Sequence, residues 1–151
     1  MSERSVTHAT FNLERTYDAP PARVFAAWAK PEKKRRWFGA DDGEFSMDFR
    51  VGGREHNSGT GPNGEQYTYD ATYQDVVDDE RIVYTYDMHL NGSRISVSVS
   101  TVELKPEDGE RTRLVYTEQG AFLDGLDDPR AREGGTAGLL EAIERVLAET
   151  D

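Results

Sequence analysis

The segment QYTYDATYQDVVDDERIVYTYDMHLNGSRISVSVSTVELK, residues 66–105, decides the fold of this chain. Aromatic and β-branched residues alternate with polar ones along most of it, which is the period of half-buried strands. Asn91-Gly92 lies between two such runs and is a strong signal for a two-residue hairpin turn. The segment therefore predicts three strands of an antiparallel meander. They cover residues 66–77, 81–88 and 93–105.

The last of these strands changes the parity of its apolar residues. They occupy odd positions up to Val99 and even positions from Val102 onward. A β-bulge inserts one residue and shifts the alternation by one position. We therefore predict a bulge near Ser100-Thr101.

Segments outside the meander complete an α+β pattern. Pro20-Pro21 favours a helix start, because the missing N–H groups would be unpaired there anyway. An apolar stripe then predicts a helix over residues 22–29, and a short helical turn follows at 32–36. Pro129 opens a long closing helix with apolar residues at helical spacing up to Ala148. Further strands are predicted at residues 9–17, 44–51, 54–58 and 111–118.

Three glycines interrupt the first half of the closing helix, at Gly134, Gly135 and Gly138. Each glycine in a helix costs roughly 0.5–1 kcal/mol relative to alanine. They indicate either a fraying start or a close approach of the helix to the sheet or to a ligand.

Composition and charge narrow the classes of protein. The chain has 151 residues, the size of a single domain, and a net charge of −11 that repels nucleic acid. It has no cysteine for disulfides or thiolate metal sites. Its apolar stretches are too short for membrane insertion, and its first residues lack a signal core, so we expect a cytoplasmic protein.

Few motifs point to metals or cofactors. His8, His56 and His89 belong to different predicted elements and lack metal-ligand spacing, so no metal is expected. The chain has no nucleophile elbow, phosphate-binding loop or dinucleotide fingerprint, so no cofactor is expected. The basic run at residues 33–36 indicates either a solvated helix face or a contact for an anionic ligand group or acidic partner.

The aromatic residues are the main candidates for a binding site. Seven tyrosines, six phenylalanines and two tryptophans are present. Tyrosines on the inner face of a sheet could line a small-molecule pocket with apolar walls and a few hydrogen bonds. The alternative is ordinary sheet packing with the hydroxyl groups reaching solvent.

Two polar features leave alternatives open. Asp48 and Arg50 share one face of a strand, where they could anchor the Gly52-Gly53 turn or present Arg50 to a ligand carboxylate. Glu118 shares a face with Tyr116. It is either a strand-end residue that reaches water or a buried acid or base.

The order of these elements and several short motifs resemble the START-like (SRPBCC) superfamily, and within it the activator of Hsp-90 ATPase homologue-like family. The resemblance spans about residues 10–149 and implies a helix-grip fold. In that fold a curved antiparallel sheet of about six to seven strands grips the long C-terminal helix over a cavity. Relatives often have Trp directly after the two glycines near the start of the closing helix. In this chain Thr136 follows Gly135 instead. The matching motifs are APPARVFAAW (19–28), PE (31–32), WF (37–38), DFRVGG (48–53), DERIV (79–83), TRL (112–114) and GG (134–135).

Three functions follow from the residues and the resemblance together. The first is a non-catalytic domain that binds a small apolar, aromatic or lipid-like ligand. The second is a co-chaperone-like module that contacts an Hsp-type ATPase, and the third is a polyketide cyclase-like enzyme that uses Glu118, His56 or Arg50. Homodimerisation is left open. The residues expected to line the cavity are Trp28, Trp37, Phe49, Arg50, His56, Tyr67, Tyr69, Tyr86, Tyr116, Glu118, Leu139 and Ile143.

Overall fold

A computed structural model describes residues 4–39 and 43–149, which form a seven-stranded antiparallel sheet and three helices. The predicted helix-grip architecture is confirmed. The short helices follow the first strand, and the last helix packs against the curved sheet. In chain order the elements are β1 (Val6–Tyr17), α1 (Pro21–Ala29), α2 (Pro31–Lys34), β2 (Phe45–Met47), β3 (Arg54–Thr60), β4 (Gln66–Val77), β5 (Arg81–Leu90), β6 (Ser93–Glu107), β7 (Arg111–Leu123) and α3 (Pro129–Ala148).

The sheet is a continuous meander with one closing pair. Its strand order is β1-β7-β6-β5-β4-β3-β2, so β2 to β7 each pair with their neighbours in sequence. The first strand pairs along its whole length with the last, from Val6 opposite Leu123 to Tyr17 opposite Thr112. The predicted hairpin is confirmed, and its two turn residues both have positive φ, 50° at Asn91 and 85° at Gly92.

The strand predicted over residues 44–51 is much shorter, because β2 ends at Met47. The backbone turns immediately afterwards, with the Gly53 N–H donating to the Arg50 carbonyl at 2.8 Å. A Cβ at position 53 would lie 2.0 Å from the Asp48 carbonyl oxygen, so the turn is too tight for any residue but glycine. Phe45 and Met47 pair with Asn57 and Glu55 of β3, whereas Phe49 continues the alternation only within the turn.

The predicted bulge near Ser100-Thr101 is wrong. The register shifts earlier, because Met88 pairs with Ser96 while His89 pairs with Arg94. From that point the inner face carries small polar residues, and Val97 and Val99 face outward with 44% and 38% exposure. The prediction failed because it assumed that apolar residues point inward. The serines that do so are Ser96, Ser98 and Ser100.

The closing helix divides into two halves. Its second half buries Leu140, Ile143 and Val146 in the core. In its first half, a Cβ at any of the three helical glycines would meet nothing within 4 Å, so the alternative of a close approach to the sheet is wrong, while a close approach to a ligand stays a prediction. The fraying start stays a prediction. In the described part of the chain, no helix combines the length and hydropathy needed to cross a membrane.

Candidate functional site

A cavity of about 410 Å³ lies between the first half of α3 and the sheet. Its volume falls within the range of roughly 300–1,000 Å³ that is usual for small-molecule sites. Three kinds of element form its walls: helix α1 with the segment after α2, the inner faces of the central strands, and α3. The residues that line it are Trp28, Trp37, Phe38, Gly39, Asn57, Tyr67, Tyr69, Tyr84, Tyr86, Met88, Tyr116, Asp127, Ala131, Arg132, Gly135, Thr136, Leu139 and Leu140.

The aromatic wall follows from the period of the strands. In β4 and β5 the tyrosines alternate with polar residues and so share the inner face. The rings of Tyr69 and Tyr86 lie 4.8 Å apart, and Phe38 meets Tyr69 edge-on at the same separation. Offset and edge-on pairs of this kind hold the wall in one arrangement.

Beneath this wall lies a buried ion pair that the sequence did not reveal. Lys34 is only 1% exposed, and its Nζ donates to Glu55 Oε1 at 2.6 Å. Tyr73 OH also donates to that oxygen. The ammonium lies 4.7–5.9 Å from five aromatic ring centroids, within the range of cation–π attraction. The expectation of a solvated face for residues 33–36 is therefore wrong at Lys34.

A second polar cluster joins the start of α3 to the sheet. Glu118 is buried and accepts hydrogen bonds from Tyr86 OH at 2.7 Å and Tyr116 OH at 2.6 Å. Arg132 donates to Tyr86 OH at 2.9 Å, to Ser96 Oγ at 2.8 Å and to an Asp127 carboxylate at 2.6 Å. Arg132 therefore anchors the helix over the cavity while neutralising the acids around it.

Burial keeps the cavity tyrosines neutral. Desolvation raises the pKa of Tyr69, Tyr86 and Tyr116 well above the ordinary value of 10.0. The carboxylates nearby raise these pKa values further, because a second negative charge would be repelled. Each of these hydroxyl groups therefore remains a hydrogen-bond donor.

The residues predicted for the site separate into two groups. Seven of the twelve line the cavity, and the other five do not. Phe49 packs between the rings of Phe25 and Tyr73, and Ile143 faces the core from α3. Glu118 is closed off by its two tyrosines. The seven are Trp28, Trp37, Tyr67, Tyr69, Tyr86, Tyr116 and Leu139.

The remaining two predicted residues are far more exposed. Arg50 donates to Asp48 at 2.9 Å beside the turn that follows β2. The side chain of His56 is 37% exposed, and its Nδ1 lies 2.6 Å from Asp70, whose hydrogen bond raises the pKa of the imidazole. His56 pairs in register with Asp70, whereas the inner face of the same strand carries Glu55 and Asn57. The residues named for a cyclase-type reaction therefore do not converge.

An antiparallel sheet wrapped around a closing helix, with an aromatic cavity between them, defines the class of helix-grip domains. The family model described as "Activator of Hsp90 ATPase homolog 1-like protein" matches residues 18–148. The chain belongs to that family. No match was found among curated proteins.

Solved structures agree with this assignment. An uncharacterized protein from Rhizobium leguminosarum is 44% identical, with a TM-score of 0.91 over 97% of this chain and 98% of that one. A protein from Rhizobium loti is 50% identical, with a TM-score of 0.88 over 94% of this chain and 99% of the other. A protein from Chromobacterium violaceum, 22% identical, shares the fold, with a TM-score of 0.77 over 93% of this chain and 98% of its own.

Proposed function

We propose that this chain is a cytoplasmic binding domain for a small, largely apolar or aromatic molecule, which it holds without chemical change. The cavity of about 410 Å³ beneath α3, with eight aromatic residues among the eighteen that line it, carries the proposal. The ionisable side chains of its two polar clusters are bonded to other residues, which supports binding rather than a reaction. Lys34 is paired with Glu55, and Glu118 accepts hydrogen bonds from two tyrosines.

The expected affinity follows from apolar burial. A ligand that loses about 250 Å² of apolar surface gains about 6 kcal/mol, before the cost of immobilisation is subtracted. An energy of about 6 kcal/mol corresponds to a dissociation constant of about 40 μM, and subtracting the cost of immobilisation makes binding weaker than this. Edge-on contacts with the tyrosine rings add to the affinity of aromatic ligands.

Filling the cavity tests the proposal. Thr136 lies in the wall, where Thr136→Trp would place a large ring inside the cavity. Wild-type protein should show a rise in Tm with members of a library of lipids and aromatic molecules, because a ligand that binds only the folded state stabilises it. Thr136→Trp should lose this response. Thr136→Val, which keeps the size of the side chain, should retain it.

Two results would contradict the proposal. One is a wild-type Tm that no library member raises, and the other is an undiminished response in a folded Thr136→Trp variant. Near-ultraviolet circular dichroism would establish that this variant is folded.

The family description supports a second candidate, a chaperone-related interaction. An Hsp90-type ATPase would be mixed with the full chain and its ATP hydrolysis measured. Acceleration that Thr136→Trp leaves intact would favour an interaction independent of the cavity. An unchanged hydrolysis rate would count against this candidate.

A further inference from the structure

Buried polar atoms without a partner are concentrated at the cavity. Among the described residues, four such side-chain atoms occur, and three belong to residues that line the cavity. Buried donors and acceptors in folded proteins nearly always pair, so each exception needs an explanation. The three atoms are Trp28 Nε1, Asn57 Oδ1 and Tyr69 OH.

The orientation of the Asn57 amide is fixed by its hydrogen bond to Glu55. Its Nδ2 donates to Glu55 Oε2 at 2.7 Å, while the other oxygen of Glu55 accepts from Lys34. A carboxylate only accepts hydrogen bonds, so the nitrogen of the amide must face Glu55. The Lys34–Glu55 pair therefore holds Asn57 Oδ1, an obligatory acceptor, on the side away from Glu55.

Tyr69 is the residue opposite Asn57 on the neighbouring strand. Asn57 and Tyr69 are paired across β3 and β4 and are 2% and 5% exposed. Directly opposed residues on one face have Cβ atoms about 4.5–5.5 Å apart. Because burial raises its pKa, the Tyr69 hydroxyl keeps its proton and can either donate or accept.

Among the residues that the structure describes, the cations at the wall are paired and leave no counter-ion for a charged ligand. Lys34 is paired with Glu55 at 2.6 Å, and Arg132 with Asp127 at 2.6 Å. A ligand carboxylate would be buried without a free cation, and it could not donate to Asn57. An uncharged hydroxyl group carries both a donor that suits Asn57 Oδ1 and an acceptor that suits Tyr69 OH.

We propose that Asn57 and Tyr69 form a hydrogen-bonding subsite for an uncharged hydroxyl group on an otherwise apolar ligand. This inference rests on the proposed function, because it specifies the polar end of the molecule that the cavity binds. Asn57 and Tyr69 are then specificity-determining residues, and Lys34 and Glu55 act on the ligand only by positioning Asn57.

Matched naphthalenes test the subsite on the full chain. Binding of naphthalene, 2-naphthol and 2-naphthoate would be measured by equilibrium dialysis at pH 7. 2-Naphthol should bind about tenfold more tightly than naphthalene, which corresponds to about 1.4 kcal/mol. It should also bind more tightly than 2-naphthoate. Without polar partners the hydroxyl would lose hydration and bind more weakly, so the direction of the difference is diagnostic.

The outcomes separate the two proposals. Binding of naphthalene and 2-naphthol with equal affinity, or tighter binding of naphthalene, would overturn the subsite and leave the binding function standing. Failure of all three probes to bind would overturn both proposals for ligands of this class.

Two phenylalanine variants distinguish the subsite from a structural role. Tyr69→Phe removes a hydroxyl that has no partner, so it should weaken the preference for 2-naphthol, which then depends on Asn57 alone, without lowering Tm. Tyr86→Phe makes the same change in the same wall, but this hydroxyl bonds to both Glu118 and Arg132. It should lower Tm and keep the preference. A lowered Tm in Tyr69→Phe, or an undiminished preference, would refute the assignment.

Discussion

Replacement of Lys34 by methionine isolates the buried ion pair, because the new side chain keeps the length and most of the volume of the old one. In the native protein the side chains of Lys34 and Glu55 are 1% and 0% exposed, and Nζ lies 2.6 Å from Oε1. Lys34→Met leaves the Glu55 carboxylate with only the neutral donors Tyr73 OH and Asn57 Nδ2. Removing one partner of a buried pair costs about 3–5 kcal/mol.

This loss is a large part of the total stability. Small domains are stable by about 5–15 kcal/mol, and 1 kcal/mol shifts Tm by about 2–4 °C for chains of roughly this length. We therefore expect Tm to fall by about 6–20 °C. Trp28 and Trp37 have rings 5.7 and 5.9 Å from Nζ, so their fluorescence reports urea unfolding at this site.

The double variant Lys34→Met, Glu55→Gln should recover at least half of the loss, since it removes the unpaired charge, keeps an oxygen acceptor for Asn57 Nδ2 and offers Tyr73 OH an amide N–H to accept. Lys30→Met, at an exposed lysine of the same segment, should change stability by less than about 0.5 kcal/mol. The reasoning is refuted if Lys34→Met costs less than 1 kcal/mol, on the order of an exposed pair. It is also refuted if the double variant is no more stable than the single one.

Gly138→Ala should raise the free energy of unfolding by about 0.5–1 kcal/mol, because alanine favours the helix and the added Cβ meets nothing within 4 Å. Urea titration measures this change, and a loss of stability would show that the helix needs glycine there. Burial raises the pKa of six of the seven tyrosines in the folded state. Their contribution to stability is complete below their unfolded pKa of about 10 and decreases as the pH rises above it. Absorbance near 295 nm should therefore record their ionisation together with alkaline unfolding, and a gradual rise in a protein with native circular dichroism would contradict this.

The fold could be predicted largely from local signals. Alternation along β4 and β5, and the positive-φ turn at Asn91-Gly92, act between neighbouring residues and so are visible in one sequence. The sixth strand was misread because its inner residues are serines. Ser96 bonds to Arg132 and Ser100 to Tyr116, and neither partner can be inferred without the tertiary structure.

The site was predictable only in its apolar part. Tyr67, Tyr69 and Tyr86 follow the parity of their strands into the cavity wall. Lys34 and Glu55 belong to segments that charge alone assigns to the surface, and only their mutual pairing makes burial favourable. Nothing in the sequence of either segment indicates that it pairs with the other.

The hydrogen bonds of Arg132 bear on how fast a ligand can pass the closing helix. The glycine-rich first half of α3 covers the cavity, whereas Leu140, Ile143 and Val146 hold the second half in the core. Local opening of a weakly stable turn requires much less energy than global unfolding. If the cavity admits a ligand through this half of α3, the residence time depends on how often one guanidinium releases Tyr86, Ser96 and Asp127 together.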